Sequence, residues 1–166
     1  VLALSGLMGL VGGLLVAVIV TVLLPILEWL FKIPTDIRLL ELSNFNEPLL
    51  RKLAIDAPGT HHHSLMVGDL AETAAESIGA NALLAKVGAY YHDIGKISQP
   101  NYFIENIQTG NPHDKLTPNM SSMIIRNHVK QGVEMARNAG LGADIIDIIE
   151  QHHGDSLLAF FYNKAC

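Results

Sequence analysis

The fold of this chain is decided by the stretch Tyr90-Tyr91-His92-Asp93-Ile94-Gly95-Lys96. The stretch closes an apolar run that begins after Asn81, a residue that favours helix N-caps, and a helix is predicted to continue to about Asp93. His92 lies one helical turn after Gly88, so its ring is expected to face a core. A lone buried histidine is usually a satisfied core residue, so the other histidines decide what this one does.

Four more of the chain's eight histidines are expected to face the same core. The apolar stripe of one predicted helix consists of His63, Val67, Leu70 and Ala74. The remaining three are His128, His152 and His153. Each follows a pair of isoleucines by three to five positions, which places it on the same helix face as those apolar residues. His61 and His62 are predicted to be surface residues.

Five imidazoles and the Asp93 carboxylate in one core indicate a metal site. Burying them without partners would cost several kcal/mol, whereas a metal takes a lone pair from each ring. Nitrogen and carboxylate donors suit Fe, Mn, Zn or Ni, and the absence of a nearby cysteine disfavours a structural zinc site. Two metals bridged by Asp93 would use all six side chains. Such pairs lie ~3.5–4 Å apart, hold phosphoryl oxygens and generate hydroxide at neutral pH.

The rest of residues 32–166 shows a helical pattern without strand-like alternation, so the predicted class is all-α. Connecting helices are expected within 32–56, and a helical domain within 57–166. Predicted helices cover 36–42, 46–54, 61–78, 81–93, 119–139, 143–153 and 155–166. Residues 57–60 are expected to form a turn, Gly79 to end the long helix, and Asp155 to cap the last helix. Residues 95–117 are predicted to be a long, functional loop.

The N-terminal segment predicts a membrane helix. The first charged residue is Glu28, and 27 helical residues would span ~40 Å against ~30 Å for a bilayer core. A signal peptide is the weaker interpretation, because nothing basic precedes the run and the run is too long. Trp29 and Phe31 are typical of a membrane interface, and the basic residues that begin at Lys32 place the following domain in the cytoplasm.

This membrane segment contains regularly spaced small residues and a proline. Ser5, Gly9 and Gly13 repeat every four residues, which either marks a helix-packing stripe or reflects how common glycine is in such helices. Pro25 is expected to kink or end the helix.

Composition excludes several classes of protein. The net charge of −5 argues against a DNA- or RNA-binding protein. Cys166 is the single cysteine, which excludes a disulfide framework. Apolar residues make up 49% of the chain and charged residues 16%, which excludes a disordered chain. The chain is expected to be a fragment, truncated at both ends.

The ordered histidines, with the pair His92-Asp93 followed by Lys96, resemble the HD-domain phosphohydrolase superfamily. Within it the chain is similar to the seven-transmembrane HD receptors, bacterial membrane phosphodiesterases that hydrolyse cyclic di-AMP to linear pApA. The segments that carry this resemblance are 39–42, 48–51, 57–60, 62–65, 90–93, 102–106 and 111–114. No Gly-Tyr-Pro motif follows His153, which argues against related enzymes that cleave cyclic di-GMP.

The resemblance implies a role for each site residue. One metal would be held by His63 and His92, with Asp93 bridging to a second metal. The second metal would be held by His128, His152 and His153. Iron or manganese is the implied pair, Lys96 would meet a substrate phosphate, and the first metal would take a further aspartate from beyond Cys166.

The resemblance also implies a place in the cell. Residues 1–31 would be the last of seven helices crossing the inner membrane of a bacterium, and the HD domain would be cytoplasmic. A homo-oligomer is compatible with this arrangement.

The expected reaction is hydrolysis of a phosphodiester bond by a hydroxide that the two metals activate, with Asp93 and Lys96 as catalytic residues. Two alternatives stay open: another nucleotide phosphohydrolase of the HD superfamily, and a membrane receptor domain that binds a nucleotide without cleaving it. An intact ligand set argues against the second, since a binding module needs no activated water.

Weaker candidates lie outside the metal set. His113 is expected either to touch substrate or to be a solvated loop residue. Asn106 and Asn111 would bind a base or shape turns. Tyr90 and Tyr91 would stack on a base, although at least one is expected in the core.

Overall fold

The computed structural model of the protein describes residues 2–31 and 35–165, which fall into two compact units, Val1–Thr35 and Asp36–Cys166. The first unit is one helix, α1 (Leu2–Phe31). Residues Ser5–Leu27 of α1 form a candidate membrane span with a mean hydropathy of 2.9. The helix does not end at Pro25, because a proline removes one hydrogen bond and the flanking turns retain theirs.

Polar groups within α1 are consistent with an apolar surrounding. The Thr21 hydroxyl donates to the carbonyl of Ala17 at 2.8 Å, so it needs no partner from outside the helix. The side chains of Trp29 and Phe31, and residue Lys32, lie outside what the structure describes, so their interfacial placement stays a prediction.

The second unit is built from seven helices and four short 3₁₀ turns among its described residues. The helices are α2 (Asp36–Leu42), α3 (Pro48–Asp56), α4 (Pro58–Ser77), α5 (Ala82–Tyr91), α6 (Pro118–Asn138), α7 (Ala143–Gln151) and α8 (Ala159–Ala165). The 3₁₀ turns are Ile94–Ser98, Pro100–Tyr102, Ile104–Asn106 and Pro112–Lys115. No strand occurs in 2–31 or 35–165, so the predicted all-α class is confirmed.

Helix ends follow the expected chemistry at several positions. The Asn81 side chain accepts from the backbone N–H of Leu84 and caps α5, as predicted. Gly79 ends α4 with φ +70, a left-handed conformation that costs glycine little.

Three local predictions are wrong. Residues 58–60 belong to α4 because Pro58 occupies its first position, where a missing N–H costs nothing. Glu47, and not Asn46, precedes α3. Asp155 does not cap α8, which begins at Ala159. The segment 95–117 is a long connection without α-helix or strand, as predicted, and 3₁₀ turns occupy much of it.

The core lies where α5 is enclosed by its neighbours. Fully buried residues include Leu39 of α2, Leu53 of α3, Val87 of α5 and Ile149 of α7. Tyr91 is also buried, and its hydroxyl donates to the carbonyl of Leu42 at 2.9 Å. Both tyrosines of the pair belong to this core, which confirms the structural expectation for them.

The buried face of α4 differs from the predicted one. It consists of Thr60, Ser64, Gly68 and Ala75, whereas Leu70 is 70% exposed. The physical reason is a close approach between helices, because a Cβ at Gly68 would lie 2.5 Å from Cε1 of Tyr90. Apolar periodicity therefore predicts the wrong buried face for α4, because the close contact with α5 requires small residues on that face.

A second close approach fixes the segment after Asp93. A Cβ on Gly95 would lie 1.8 Å from the carbonyl oxygen of His128 and 2.6 Å from the backbone nitrogen of Gly132. The turn Ile94–Ser98 therefore rests directly on the backbone of α6. Only glycine fits there, and this contact sets the distance between Asp93 and His128.

We expect Gly95→Ala to destabilise the second unit by about 3 kcal/mol or more, because an added methyl group would have to displace the backbone of α6. Urea unfolding followed by circular dichroism measures this loss. Ser98→Ala is the matched control, since Ser98 is exposed in the same turn. Equal stability of the two variants would contradict the proposed contact.

Candidate metal centre

Asp93 is the centre of the site. It follows the end of α5, it is 2% exposed, and its two carboxylate oxygens face different sets of histidines. One set is His63 and His92; the other is His128, His152 and His153. Within each set, including Asp93, the candidate ligand atoms lie within 4.8 Å of one another.

The Oδ2 side of Asp93 combines two imidazoles with an ammonium group. His92 Nε2 lies 3.1 Å from Oδ2 and His63 Nε2 lies 4.0 Å from it. Lys96 Nζ contacts the same oxygen at 2.8 Å. His92 and Lys96 are nearly buried, whereas the His63 side chain is 48% exposed, so this side of the site opens to solvent at His63.

The Oδ1 side of Asp93 faces imidazoles of the other set. His128 Nε2 lies 3.3 Å and His152 Nε2 lies 3.5 Å from Oδ1. His128 Nε2 in turn lies 3.2 Å from His153 Nε2 and 3.3 Å from His152 Nε2. Oδ1 is buried and makes no hydrogen bond, although a carboxylate oxygen that is removed from water needs a partner.

Backbone carbonyls determine which nitrogen of three rings carries the proton. His92 Nδ1 donates to the carbonyl of Ala89 and His152 Nδ1 to that of Ile149, both at 2.7 Å. His128 Nδ1 makes the same contact with the carbonyl of Ile125. Because a carbonyl can only accept, each Nδ1 holds the hydrogen, and in the neutral ring Nε2 is left with its lone pair.

The three Nε2 lone pairs therefore converge on Asp93 together with its carboxylate charge. Without a positive partner, these groups would repel one another and leave Oδ1 unsatisfied. A divalent cation in each set would resolve both problems, and the nitrogen and carboxylate donors suit Fe, Mn, Zn or Ni. The residues fit a pair of metal ions that share Asp93.

The electrostatics of the free site favour a cation in the same way. Burial raises the pKa of Asp93, but contacts with His128, His152 and His92 outweigh burial when those rings carry a second proton at Nε2, and they hold that pKa far below its usual value. A cation at Nε2 would take the place of that proton. Burial, reinforced by His152 and His128, lowers the pKa of His153 to about 4. Asp93 is therefore ionised and His153 neutral at pH 7, which are the states that bind metal.

The pKa values of the two histidines on the Oδ2 side shift in opposite directions. Burial and the neighbouring His92 lower the pKa of His63. Burial also acts to lower the pKa of His92, but its contact with the Asp93 carboxylate outweighs burial and raises it. His92 therefore holds a proton more strongly than His63 does, and a cation on this side would have to displace that proton in order to bind.

Sequence reasoning missed two polar residues near Lys96. Glu105 Oε1 accepts from Lys96 Nζ at 2.7 Å and from the Thr60 hydroxyl at 3.0 Å. Glu105 directly precedes Asn106, which is a predicted candidate, and this adjacency could have drawn attention to Glu105. Asn106 itself accepts from the Thr60 N–H at 3.1 Å, so it holds a turn in place.

Two of the predicted substrate contacts, His113 and Asn111, belong to neither ligand set. His113 is buried, with its Nε2 2.8 Å from the carbonyl oxygen of Tyr102 and its ring against Phe161. It is therefore not the solvated loop residue of one interpretation. Asn111 is exposed, and its side chain accepts from the His113 N–H at 3.0 Å. Both remain predictions as substrate contacts.

The two histidines predicted at the surface differ from each other. His62 is exposed. His61 is half-buried against Phe45, with ring centroids 5.9 Å apart and a buried Nε2, so the surface prediction is wrong for it. Phe45 covers this ring from the segment between α2 and α3.

Comparison with known proteins agrees with the site. The family model of the HD domain matches residues 60–163. A cyclic-di-AMP phosphodiesterase PgpH of Bacillus subtilis (strain 168) is 54% identical over 160 residues, which cover 96% of this chain and 22% of that protein. A protein of the same name from Listeria monocytogenes serotype 1/2a (strain 10403S) is 52% identical over 143 residues, which cover 86% and 20%.

A solved structure shows the same architecture. The crystal structure of the L. monocytogenes phosphodiesterase PgpH HD domain in complex with cyclic-di-AMP has a TM-score of 0.71 and 54% identity, and the match covers 74% of this chain and 58% of that one. The chain spans about a fifth of the length of the curated relatives it matches. The predicted HD-domain helical fold is confirmed, and the chain belongs to the HD domain family.

Proposed function

We propose that this protein is a metal-dependent phosphodiesterase that hydrolyses cyclic di-AMP to linear pApA. The observation that carries the proposal is the pair of ligand sets that share Asp93, in a chain 54% identical to a protein named cyclic-di-AMP phosphodiesterase. Two nearby cation positions with a common carboxylate are the arrangement that phosphoryl-transfer enzymes use.

Each side chain of the site has a distinct task in this proposal. His63 and His92 would hold one cation together with Asp93. His128, His152 and His153 would hold the second, and Asp93 would be shared between the two. When bound, two such ions supply Lewis-acid stabilisation of the phosphoryl charge and activate the attacking water, and iron or manganese suits these donors.

The depth of the ligands sets the direction from which substrate arrives. Asp93 and His128 form a buried floor, whereas His63 and His153 are exposed at the rim. We therefore expect a phosphodiester to approach from this rim, with its scissile phosphate toward the floor and the bases of the dinucleotide outside the ligand sets.

Lys96 contributes a positive charge that does not depend on metal. Its Nζ lies 2.8 Å from Oδ2 of Asp93, so a phosphate at the cations has an ammonium donor at its edge. Donation to a non-bridging oxygen would stabilise the charge that develops in the transition state. Asp93 and Lys96 are thus the proposed catalytic pair, and His113 and Asn111 are proposed to contact the nucleotide.

The location of the protein is part of the proposal. The span Ser5–Leu27 of α1 is long and apolar enough to cross a bilayer. We place residues 1–31 in the bacterial inner membrane, in a multi-pass protein, with the HD domain in the cytoplasm, where a cyclic dinucleotide is available. Association into homo-oligomers is compatible with this placement.

Product analysis tests the proposed reaction. Full-length protein, purified in detergent and loaded with Mn²⁺, is incubated separately with cyclic di-AMP, cyclic di-GMP and mononucleotides. We expect cyclic di-AMP to be converted to pApA faster than the others react. Preferred cleavage of a mononucleotide would favour another HD phosphohydrolase, and binding of cyclic di-AMP without cleavage would favour a receptor.

Replacing Asp93 or His92 by alanine is expected to abolish turnover and leave the helical content intact. Each change removes a shared or buried ligand, whereas the helices are stabilised by apolar packing elsewhere. Phosphodiesterase rates and far-ultraviolet circular dichroism measure the two effects. Asp56→Ala, at an exposed carboxylate of α3, is the control. Retained turnover would remove these residues from the site.

Metal binding is expected to stabilise the fold, because it relieves the converging lone pairs and the unpartnered Oδ1 of Asp93. Free Mn²⁺ at 100 times its Kd adds about 2.7 kcal/mol per site if the unfolded chain binds none. Thermal unfolding with and without chelator measures the difference. His128→Ala, which removes a ligand of one set only, should lose about one site's share of it, and a metal-independent melting temperature in the unsubstituted protein would contradict the assignment.

A further inference from the structure

Lys96 is held by more than the metal centre. Its ammonium group contacts Oδ2 of Asp93 at 2.8 Å and Oε1 of Glu105 at 2.7 Å. The ring of Phe103 completes the enclosure, with its centroid 4.9 Å from Nζ. The lysine side chain is only 12% exposed, so its position depends on these three groups.

Glu105 is itself fixed from the opposite side. The Thr60 hydroxyl donates to the same oxygen, Oε1, at 3.0 Å. Next to it, Asn106 Nδ2 donates to the Thr60 hydroxyl oxygen at 2.7 Å, and Asn106 Oδ1 accepts from the Thr60 N–H at 3.1 Å. Three polar contacts therefore join the turn Ile104–Asn106 to Thr60, and a fourth joins the turn to Lys96.

Close packing anchors this turn to the start of α4. A Cβ on Gly59 would lie 1.9 Å from the carbonyl oxygen of Glu105, so the two backbones are in direct contact. The same helix carries His63 one turn later. Glu105 is thereby fixed relative to one set of metal ligands, while Phe103 contacts the other set through His128, with ring centroids 5.4 Å apart.

The two carboxylates beside Lys96 differ in one respect. Asp93 belongs to both ligand sets, whereas Glu105 belongs to neither. Once cations share the charge of Asp93, its attraction for the ammonium group weakens. Glu105 is then the counter-charge that keeps Lys96 at the edge of the site, since a nearly buried ammonium needs a paired anion.

We propose that Glu105 is a positioning residue, which holds the Lys96 ammonium group at the edge of the metal centre in the orientation that meets a substrate phosphate. This inference rests on the proposed function for the identity of the substrate. The Glu105–Lys96 contact is independent of the proposed function and is tested separately.

The first test measures the contact without turnover. In Mn²⁺-loaded protein without substrate, the acylation rate of each lysine is measured by mass spectrometry, with exposed Lys115 as the internal reference. We expect Lys96 to be protected, and Glu105→Gln to raise its relative rate at least about fivefold. Thr60→Val, which removes only the hydroxyl behind Glu105, should raise it in the same direction. Unchanged protection of Lys96 in both variants would overturn the inference.

The second test is a double-mutant cycle on hydrolysis of cyclic di-AMP by full-length, Mn²⁺-loaded protein. Glu105→Gln should lower kcat roughly 10- to 100-fold by displacing the ammonium group, while the metal content is retained. In a Lys96→Met background the same substitution should change kcat less than about twofold, because its target is gone. Glu134→Gln, at an exposed position of α6, should leave kcat unchanged.

The outcomes separate the two proposals. If the unsubstituted protein does not cleave cyclic di-AMP, the proposed function fails and the acylation result alone decides whether Glu105 holds Lys96. If it does cleave, and Glu105→Gln is equally harmful with and without Lys96, then Glu105 acts on the fold and the inference is wrong.

Discussion

Three hydrogen bonds between imidazole Nδ1 groups and backbone carbonyls determine how this site works. His92, His128 and His152 each donate to the carbonyl three residues earlier in the chain. This fixes the ring orientation and turns each Nε2 lone pair inward. The rings are thus aligned as ligands by their own helices, before any cation is present. Asp93, buried at the point of convergence, supplies the negative charge.

This arrangement requires helix backbones to approach more closely than ordinary side chains allow. Gly95 sits on the backbone at His128, and Gly68 faces the ring of Tyr90. The first contact joins the segment after Asp93 to α6, and the second joins α4 to α5. Packing at these two glycines brings ligands from distant parts of the sequence to within a few ångströms of one carboxylate.

Sequence reasoning groups these six side chains because histidine and aspartate are costly to bury. The structure places all five rings around Asp93, although His63 and His153 are exposed and not buried as predicted, and their role as metal ligands stays a prediction. The same reasoning misplaced the buried face of α4, where small residues and not large apolar ones mark the interior. It also missed Glu105, because contacts across 45 residues leave no periodic signal. The start of α8 was misplaced because an aspartate suits turns as well as caps.

Two of the candidate ligands lie at helix ends, since His92 follows α5 and His152 follows α7. Each ring bonds a carbonyl of the last turn, which otherwise lacks a partner within the helix. The carboxyl-terminal ends of both helices carry partial negative charge from their aligned peptide dipoles, and these ends face the ligand cluster. The backbone therefore attracts cations to this point independently of the side chains, and it ties the length of each helix to the placement of its ligand. Lengthening α5 or α7 by a single residue would rotate the ring by about 100° and move the favourable end of the dipole along with it.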